Sequence, residues 1–280
     1  MTAGSFGERL HRALRDRGPL CVGIDPHAAL IAAWGLPDDV SGLERFSRTV
    51  VEALAGQVAV LKPQSAFFER HGARGVAVLE DVVAEARSAG ALVLTDAKRG
   101  DIGSTMQAYA DAYADPRSPL SSDALTVSPY LGFGSLTPLL DTAERHGTGV
   151  FVLALTSNPE AAEVQHARTS SGRTVAGAVL EHVRRRNAGA APAPLGNVGC
   201  VVGATVGRTE EDLDVGGPLL APGLGAQGAG PDDLRDVFGP ALRLVLPAVS
   251  REVLGSGPAG SALRESAARL RDACARVITR

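Results

Sequence analysis

Residues 91–102 of the chain are ALVLTDAKRGDI, a short apolar run that ends in closely spaced charged groups. The run Ala91–Asp96 is continuously apolar until its end, which is typical of a strand buried on both faces of a parallel sheet. The polar residues that follow it, as far as Asp101, would then stand at the carboxyl end of that strand. This stretch therefore predicts a buried parallel strand with chemical groups at its C-terminal end.

Seven further apolar runs occur along the chain and alternate with segments of helical periodicity. Besides Ala91–Asp96, the predicted strands are Leu20–Asp25, Val58–Lys62, Ala124–Ser128, Gly149–Leu155, Gly199–Ala204, Pro218–Pro222 and Leu242–Pro247. The clearest predicted helices are Leu43–Leu54, Val76–Ala89, Ile102–Tyr113, Val175–Arg186 and Ser261–Val277. Eight strands alternating with helices favour an α/β fold with one (β/α)8 TIM barrel over residues 1–280, rather than an open doubly wound sheet. No GxGxxG motif opens a first strand–helix turn, which disfavours a dinucleotide-binding fold.

The composition indicates a globular protein of a reducing compartment. Hydrophobic residues make up 45% of the 280 residues, and the formal net charge of -3 does not suggest nucleic acid or a membrane surface as a partner. Cys21 and Cys200 lie inside apolar runs and are interpreted as small buried hydrophobic residues. No apolar stretch approaches the roughly 20 residues of a membrane span, and the first residues do not resemble a signal peptide. We therefore expect a cytoplasmic location.

The use of lysine is unusual. Of the 28 basic residues 26 are arginine, and the lysines are Lys62 and Lys98. Arginine keeps its proton near neutral pH, whereas a crowded lysine can release one. A lineage biased toward arginine codons could leave two lysines by chance, but both stand at predicted strand ends. They are therefore candidates for ammonium chemistry.

Four charged residues end the first three predicted strands. Asp25, Lys62 and the pair Asp96 and Lys98 would all lie at one mouth of the barrel, where the active sites of this fold are found. Residues two apart on a strand project to the same side, so Asp96 and Lys98 are expected to meet. The alternative is a network of ion pairs that merely closes the barrel top. The four charged groups at the ends of three strands include both lysines of the chain, and this favours catalysis.

A phosphate site is suggested at the opposite side of the mouth. The loops after strands seven and eight commonly bind phosphate in this fold. The first of these loops contains Gly223, Gly225 and Gly228 with the amide of Gln227, and the second contains Arg251, which can hold two phosphate oxygens. Glycine-rich loops also form ordinary turns, so it is the position in the barrel order that favours phosphate.

Three features allow more than one interpretation. Asp101 stands where a helix opens and is by default its N-cap or a charge in its first turn, although it could reach an active site, its own or a partner's. His27 could face the mouth, but solvent exposure is the preferred interpretation. The segments Ser157–Arg173 and Asn187–Asn197 are predicted to be long loops; the first follows strand five and could form a lid, whereas the second is expected to be a structural insertion.

The stretch Asp96–Ile102 resembles the DxKxxDI signature of the orotidine 5'-phosphate decarboxylase family. The flanking segments Lys62–Glu69, Ser128–Gly132 and Ala221–Gly228 are similar to the longer bacterial branch of that family, and the resemblance extends from Cys21 to the final helix. It implies decarboxylation of orotidine 5'-phosphate to UMP without a metal or other cofactor, as the last step of de novo pyrimidine synthesis.

The resemblance also implies roles for individual residues. The charged array would consist of Lys62, Asp96, Lys98 and Asp101, with Lys98 protonating C6 of the pyrimidine. The protein would be a homodimer in which Asp101 reaches the partner's site. The remaining substrate contacts would be Asp25 and Thr105 at the ribose (Thr105 also from the partner), Ser128 and Pro222 at the base, and Gln227 and Arg251 at the phosphate.

Two other functions remain open at this point. A metal-dependent decarboxylase or aldolase acting on a sugar phosphate would share the DxKxxD element, but it needs acidic ligands for Mg²⁺ where this chain has Lys62. A barrel that only binds phosphate or nucleotide would have no need of two ammonium groups between aspartates. The six histidines show no HxH or HExxH spacing, so a zinc site is not expected.

Overall fold

Eight parallel strands close into a barrel in chain order within residues 4–189, 193–225 and 228–278, the residues that the computed structural model describes. The strands are β1 Cys21–Ile24, β2 Val60–Pro63, β3 Leu92–Arg99, β4 Ala124–Val127, β5 Gly149–Leu155, β6 Val198–Val202, β7 Leu219–Pro222 and β8 Val245–Val249. The barrel is closed by pairing of β1 with β8, in which Val22 is in register with Val249. The predicted (β/α)8 architecture is confirmed.

Helices follow the strands along the chain except between β6 and β7, where residues 203–218 form turns and loops. The helices are α1 Phe6–Arg17, α2 Ala28–Ala33, α3 Val40–Leu54, α4 Ser65–Glu69, α5 Gly72–Ser88, α6 Gly103–Tyr113, α7 Thr137–His146, α8 Ala161–Gln165, α9 Val175–Ala188, α10 Asp233–Phe238, α11 Arg251–Leu254 and α12 Gly260–Ile278, with 3-10 helices at Phe133–Leu136 and Gly239–Leu244. The five predicted helices correspond to α3, α5, α6, α9 and α12, with boundaries that differ by a few residues at most.

The predicted boundaries of the eighth strand were wrong. The apolar run begins at Leu242, but Gly239–Leu244 forms a 3-10 helix and the strand is Val245–Val249. Pro240 lies in the first turn of that 3-10 helix, where its fixed φ and missing N–H are tolerated. Because the strand ends at Val249, Ser250 and Arg251 follow it directly at the barrel mouth.

The core explains why the strands are continuously apolar. Every residue of β1, β4, β6 and β8 is buried, as expected for strands covered by packing on both faces. Cys21 and Cys200 are fully buried free thiols, which confirms their interpretation as hydrophobic residues, and burial raises the pKa of Cys21 to about 12. Among the described residues, none of the helices is long and apolar enough to cross a membrane.

The two segments predicted as long loops contain regular structure. Within Ser157–Arg173 the chain forms α8, and the side chain of Gln165 fixes this turn by accepting from the N–H of Thr156 at 2.8 Å and donating to its hydroxyl at 2.8 Å. In the second segment, Asn187 belongs to α9 and donates to the carbonyl oxygens of Val198 and Val215, each at 2.8 Å. Residues 190–192 of that segment lie outside the described part of the chain.

Candidate active site

The predicted site residues stand at the carboxyl ends of the strands. Asp25 follows β1 directly, Lys62 lies in β2, and Asp96 and Lys98 lie at the end of β3. Since all the strands are parallel, these ends meet at one mouth of the barrel, as the sequence predicted.

The carboxylate of Asp96 binds both lysines of the chain. The Nζ atom of Lys62 lies 3.0 Å from Oδ2 of Asp96, and Nζ of Lys98 lies 2.6 Å from Oδ1. The side chains of Lys62 and Asp96 are 8% and 10% exposed, whereas that of Lys98 is 44% exposed. Lys98 is therefore the ammonium group of this array that is more open to solvent.

The charges of the array stabilise one another. Burial alone would lower the pKa of Lys62, but the Asp96 carboxylate, followed by Asp25, outweighs burial and holds that pKa above its ordinary value. Burial alone would raise the pKa of Asp96, but Lys62 and Lys98 outweigh it and hold that pKa well below its ordinary range. At neutral pH Lys62 is therefore a cation and Asp96 an anion.

The backbone at Lys98 departs from regular strand geometry. Lys98 has φ +48°, in the left-handed region. Every other described residue with a positive φ is a glycine. Thr95 is in register with Leu125 and Arg99 with Val127, so four steps along β3 correspond to two steps along β4. Asp96 and Lys98 meet as predicted, but through this irregularity and not through simple strand alternation.

A cavity of about 310 Å³ adjoins the array and brings together residues of β2, β7 and β8 with residues that follow β1. It is lined by Asp25, Lys62, Pro222 and Arg251, four of the predicted site residues. Oδ1 of Asp25 is buried and has no hydrogen-bond partner among the described residues, so it is available to a donor from a ligand.

His27 also lines this cavity, and the preferred prediction of solvent exposure was wrong. The imidazole is half-buried and packs edge-on against the ring of Phe67, with 4.3 Å between the ring centroids. The sequence could not indicate this contact, because Phe67 follows another strand.

The loop after β7 presents backbone to the same cavity. Gly223 and Leu224 line it, and Gly223 and Gly225 have φ of 112° and 71°, which glycine adopts readily. The N–H of Gly225 donates to the carbonyl oxygen of Ala229 at 2.8 Å and closes the turn. Gln227 lies outside the described residues.

Ser128 follows β4 directly and contacts the segment at the end of β3. Its N–H donates to the carbonyl oxygen of Arg99 at 2.8 Å. A Cβ atom at Gly100 would lie 2.4 Å from the carbonyl oxygen of Ser128, so glycine is required at this position. This close approach fixes the segment after β3 against the segment after β4. Ser128 does not line the cavity described above.

Asp101 and Thr105 are not joined to the array within one chain. Asp101 is half-buried and Thr105 is exposed, and Oδ1 of Asp101 accepts from the N–H of Ile102 at 2.8 Å. The N-cap of α6 is Ile102 and its first turn holds no acidic residue, so the default prediction of Asp101 as an N-cap or a first-turn charge was wrong. Large apolar side chains are exposed near these residues: Ile102 is 62% exposed, Tyr130 77% and Leu131 54%.

Two further residues, which the sequence did not single out, contact Asp96 or fix the end of β3. Thr126, on β4, donates from its hydroxyl to Oδ1 of Asp96 at 2.7 Å. Arg99 forms an ion pair with Glu69, and its guanidinium lies 5.7 Å from the ring centroid of Tyr109. The signal for Thr126 was its place near the end of a strand, but an isolated threonine in a strand is ordinary.

The described residues contain no group of three or more His, Cys, Asp or Glu side chains placed to hold a metal ion. At the end of β2, where an acidic ligand would be needed, the structure places the buried ammonium group of Lys62. A divalent cation at that position would meet a like charge.

Comparison with known proteins identifies the family. Residues 18–266 match the family model described as the orotidine 5'-phosphate decarboxylase / HUMPS family. The chain is 65% identical over 276 residues to an orotidine 5'-phosphate decarboxylase of Salinispora arenicola, covering 98% of this chain and 99% of that protein. It is 66% identical over 265 residues to one of Streptomyces coelicolor, covering 94% and 95%.

Solved structures show the same similarity. The crystal structure of a candidate orotidine 5'-phosphate decarboxylase from Streptomyces avermitilis superposes with a TM-score of 0.97 at 63% identity, covering 100% of this chain and 98% of that chain. The structure of Leishmania donovani OMP decarboxylase superposes with a TM-score of 0.77 at 29% identity, covering 99% and 100%.

The mutual support of Asp96 and Lys62 predicts a double-mutant result. Asp96→Asn should lower the free energy of unfolding at pH 7 by about 3–5 kcal/mol, because it leaves a buried cation without its partner. The double variant Asp96→Asn with Lys62→Met should lose less than Asp96→Asn alone, since the stranded charge is gone. Urea denaturation measures both values.

The contributions of Asp96 and Lys62 to the free energy of unfolding depend on pH in opposite directions. The contribution of Asp96 is present above the pKa of an unfolded aspartate and is lost as the pH falls through the lowered folded pKa; that of Lys62 is present below the unfolded lysine pKa and is lost as the pH rises. The loss of free energy of unfolding caused by Asp96→Asn should therefore persist from about pH 5 to about pH 9. Asp16→Asn, at an exposed pair with Arg15, is the control and should change little. Equal small losses for Asp96→Asn and Asp16→Asn would contradict the prediction.

Proposed function

Because the chain belongs to the orotidine 5'-phosphate decarboxylase / HUMPS family, we propose that it converts orotidine 5'-phosphate to UMP and CO2, with Lys98 as the proton donor. This reaction is the last step of de novo UMP synthesis. Relatives that are 65% and 66% identical over most of the chain are named for this activity. The observation that carries the proposal is the Asp96 carboxylate held between the ammonium groups of Lys62 and Lys98, at 3.0 and 2.6 Å.

The proposed reaction replaces one bond at C6 of the pyrimidine with another. The bond between C6 and the carboxylate carbon breaks, CO2 leaves, and the electron pair stays on C6. A proton from Nζ of Lys98 then forms the new C6–H bond, and the neutral amine regains a proton from solvent. Lys98 suits this role better than Lys62, because its side chain is 44% exposed and that of Lys62 is 8% exposed.

Fixed charges would supply the stabilisation that the pyrimidine ring cannot. A vinylic carbanion at C6 is poorly delocalised, so a cation already in place beside it lowers the barrier without reorganisation. Asp96 would lie next to the substrate carboxylate and disfavour the ground state, since two like charges would meet in a poorly solvated site. Its two ion pairs keep Asp96 from turning away.

We propose that the reaction requires neither a metal nor another cofactor. Lys62 occupies the end of β2, where a metal-dependent relative would need an acidic ligand, and its Nζ atom already binds Asp96. The positive charges of the two lysines would serve where a metal would otherwise act as the Lewis acid.

The cavity beside the array would hold the rest of the nucleotide. Asp25, with its unpaired buried oxygen, would accept from a ribose hydroxyl, and Arg251 would bind the phosphate. Pro222 would pack beside the pyrimidine, and Ser128, near the array, would hydrogen-bond to it. We assign Gln227 to the phosphate on the family resemblance.

The active unit would be a homodimer in which Asp101 and Thr105 complete the partner's site. Neither residue contacts the array of its own chain among the described contacts, and the exposed side chains of Ile102, Tyr130 and Leu131 would be covered by a second copy. A cytoplasmic location suits the three buried free thiols. We propose neither nucleic acid nor a membrane as a partner, because the formal net charge of -3 is not that of a basic binding surface.

A direct assay tests the activity. The purified chain should consume orotidine 5'-phosphate, measured as the change in ultraviolet absorbance of the pyrimidine, and should release UMP. The rate should be the same with and without EDTA, because no step is proposed to use a metal. Activity that appeared only after addition of Mg²⁺ would favour a metal-dependent relative, and binding without turnover would favour a non-catalytic barrel.

The proposed role of Lys98 predicts a large loss of kcat with little change in Tm. Lys98→Ala should lower kcat at least about 1000-fold, because it removes both the proton donor and the nearest cation. The Tm should change little, since the side chain is 44% exposed. Arg12→Ala, which removes an exposed cation on α1, is the control and should keep the wild-type kcat. A Lys98→Ala enzyme with near-normal kcat would refute the assignment.

The shared site predicts complementation between two inactive variants. Lys98→Ala and Asp101→Asn should each be nearly inactive, but a heterodimer of the two has one intact site. Co-expression in equal amounts should recover about a quarter of wild-type activity, because half of the dimers are mixed and half of their sites are intact. Lys98→Ala with Asp96→Asn is the control, since both changes affect the same chain's contribution. No recovery in the first mixture would contradict the shared site.

A further inference from the structure

One buried hydroxyl connects the carboxylate of Asp96 to the backbone of Lys98. Oγ of Thr126 donates to Oδ1 of Asp96 at 2.7 Å and accepts from the N–H of Lys98 at 3.0 Å. Thr126 is 1% exposed, so water does not compete for either bond. A hydroxyl is a donor and an acceptor at once, and this one uses both capacities on the two residues of the array that lie on β3.

The bond to the N–H of Lys98 replaces one that the sheet cannot provide. β3 and β4 are in register at Thr95 with Leu125 and again at Arg99 with Val127, and the ladder is interrupted between these pairs. Lys98 lies inside the interruption with φ +48°, a conformation that costs of the order of 1 kcal/mol or more for a residue with a Cβ. An external partner is needed to hold such a backbone, and the Thr126 hydroxyl is that partner.

The second hydrogen bond of the Thr126 hydroxyl fixes the carboxylate of Asp96. Oδ1 of Asp96 receives both the Thr126 hydroxyl and the ammonium group of Lys98, while Oδ2 receives Lys62. The carboxylate therefore cannot rotate without breaking a bond to Thr126 or to a lysine. One side chain thus determines both where the Lys98 side chain begins and which oxygen its ammonium group faces.

We infer that Thr126 is a positioning residue that holds the ammonium group of Lys98 on the path to C6. It contacts Asp96 and Lys98 and acts only through them. This inference rests on the proposed function, since it concerns the accuracy with which Lys98 delivers its proton. A displacement of about 1 Å can reduce a rate about 100-fold, and a Lys98 released from its left-handed backbone would be displaced.

The test compares variants that differ at this hydroxyl. Thr126→Val keeps the branched shape and removes both hydrogen bonds. We expect kcat for orotidine 5'-phosphate to fall about 10- to 100-fold, while KM changes less than about threefold, because the substrate-binding residues are untouched. Thr126→Ser retains the hydroxyl and should restore kcat to within about threefold of the wild type. If Thr126→Val does not fold, Thr126→Cys, with a weakly bonding thiol, replaces it in the comparison with Thr126→Ser.

Thr148→Val is the matched control. Its hydroxyl is also buried and donates to the carbonyl oxygen of Ala114 at 3.3 Å, but it precedes β5 and lies at the opposite end of the barrel. This variant should lower the Tm without changing kcat.

The outcomes separate the inference from the proposed function. A wild-type chain that does not consume orotidine 5'-phosphate overturns the proposed function, and the inference with it. An active wild type together with a Thr126→Val enzyme of unchanged kcat overturns the inference alone, and a loss confined to Tm, as at Thr148, has the same meaning. A loss of kcat that Thr126→Ser does not restore overturns it as well, because the hydroxyl would then not be the cause.

Discussion

The site depends on one carboxylate that is surrounded by donors from three neighbouring strands. Asp96 binds Lys62 from β2, Lys98 from its own strand and Thr126 from β4, at distances of 2.6 to 3.0 Å. A buried ion pair contributes little net stability, because desolvation offsets most of the attraction, but it tolerates few alternative geometries. The carboxylate therefore serves mainly to fix the positions of the two ammonium groups. Because the barrel buries this carboxylate, the two groups have few alternative positions.

The backbone of β3 is irregular where it carries Asp96 and Lys98. β3 is regular and buried from Val93 to Thr95, then loses register with β4 and passes through a left-handed backbone at Lys98. The neighbouring contacts hold that segment: Arg99 is fixed by Glu69, and Gly100 packs against the carbonyl of Ser128. Strain at a functional position persists where the surrounding structure over-determines it, as it does here.

The sequence predicted the features that follow from pattern and order. Eight apolar runs predicted the strands, and the parallel topology brought Asp25, Lys62, Asp96 and Lys98 to one mouth. What it could not predict depends on contacts between distant segments. The register shift between β3 and β4 leaves no mark on the apolar pattern, and the contact of His27 with Phe67 joins the N-cap of α2 to α4. The start of β8 was predicted too early because an apolar run does not distinguish a 3-10 helix from a strand.

The two lysines of a chain that otherwise uses arginine have different surroundings, and the proposed reaction gives a reason for the lysine at position 98. Apart from the pairs of Asp96, the basic partners in the described ion pairs are arginines, such as Arg48 with Glu85 and Arg243 with Asp214, where a permanent charge suffices. Lys62 and Lys98 contact the same carboxylate but differ in access to solvent, with side chains 8% and 44% exposed. The buried ammonium group is suited to remain a fixed charge, whereas in the proposed reaction the more exposed one would lose and regain a proton in each turnover. An arginine at the open position would keep the charge but could not deliver the proton, so the proposed reaction requires lysine there.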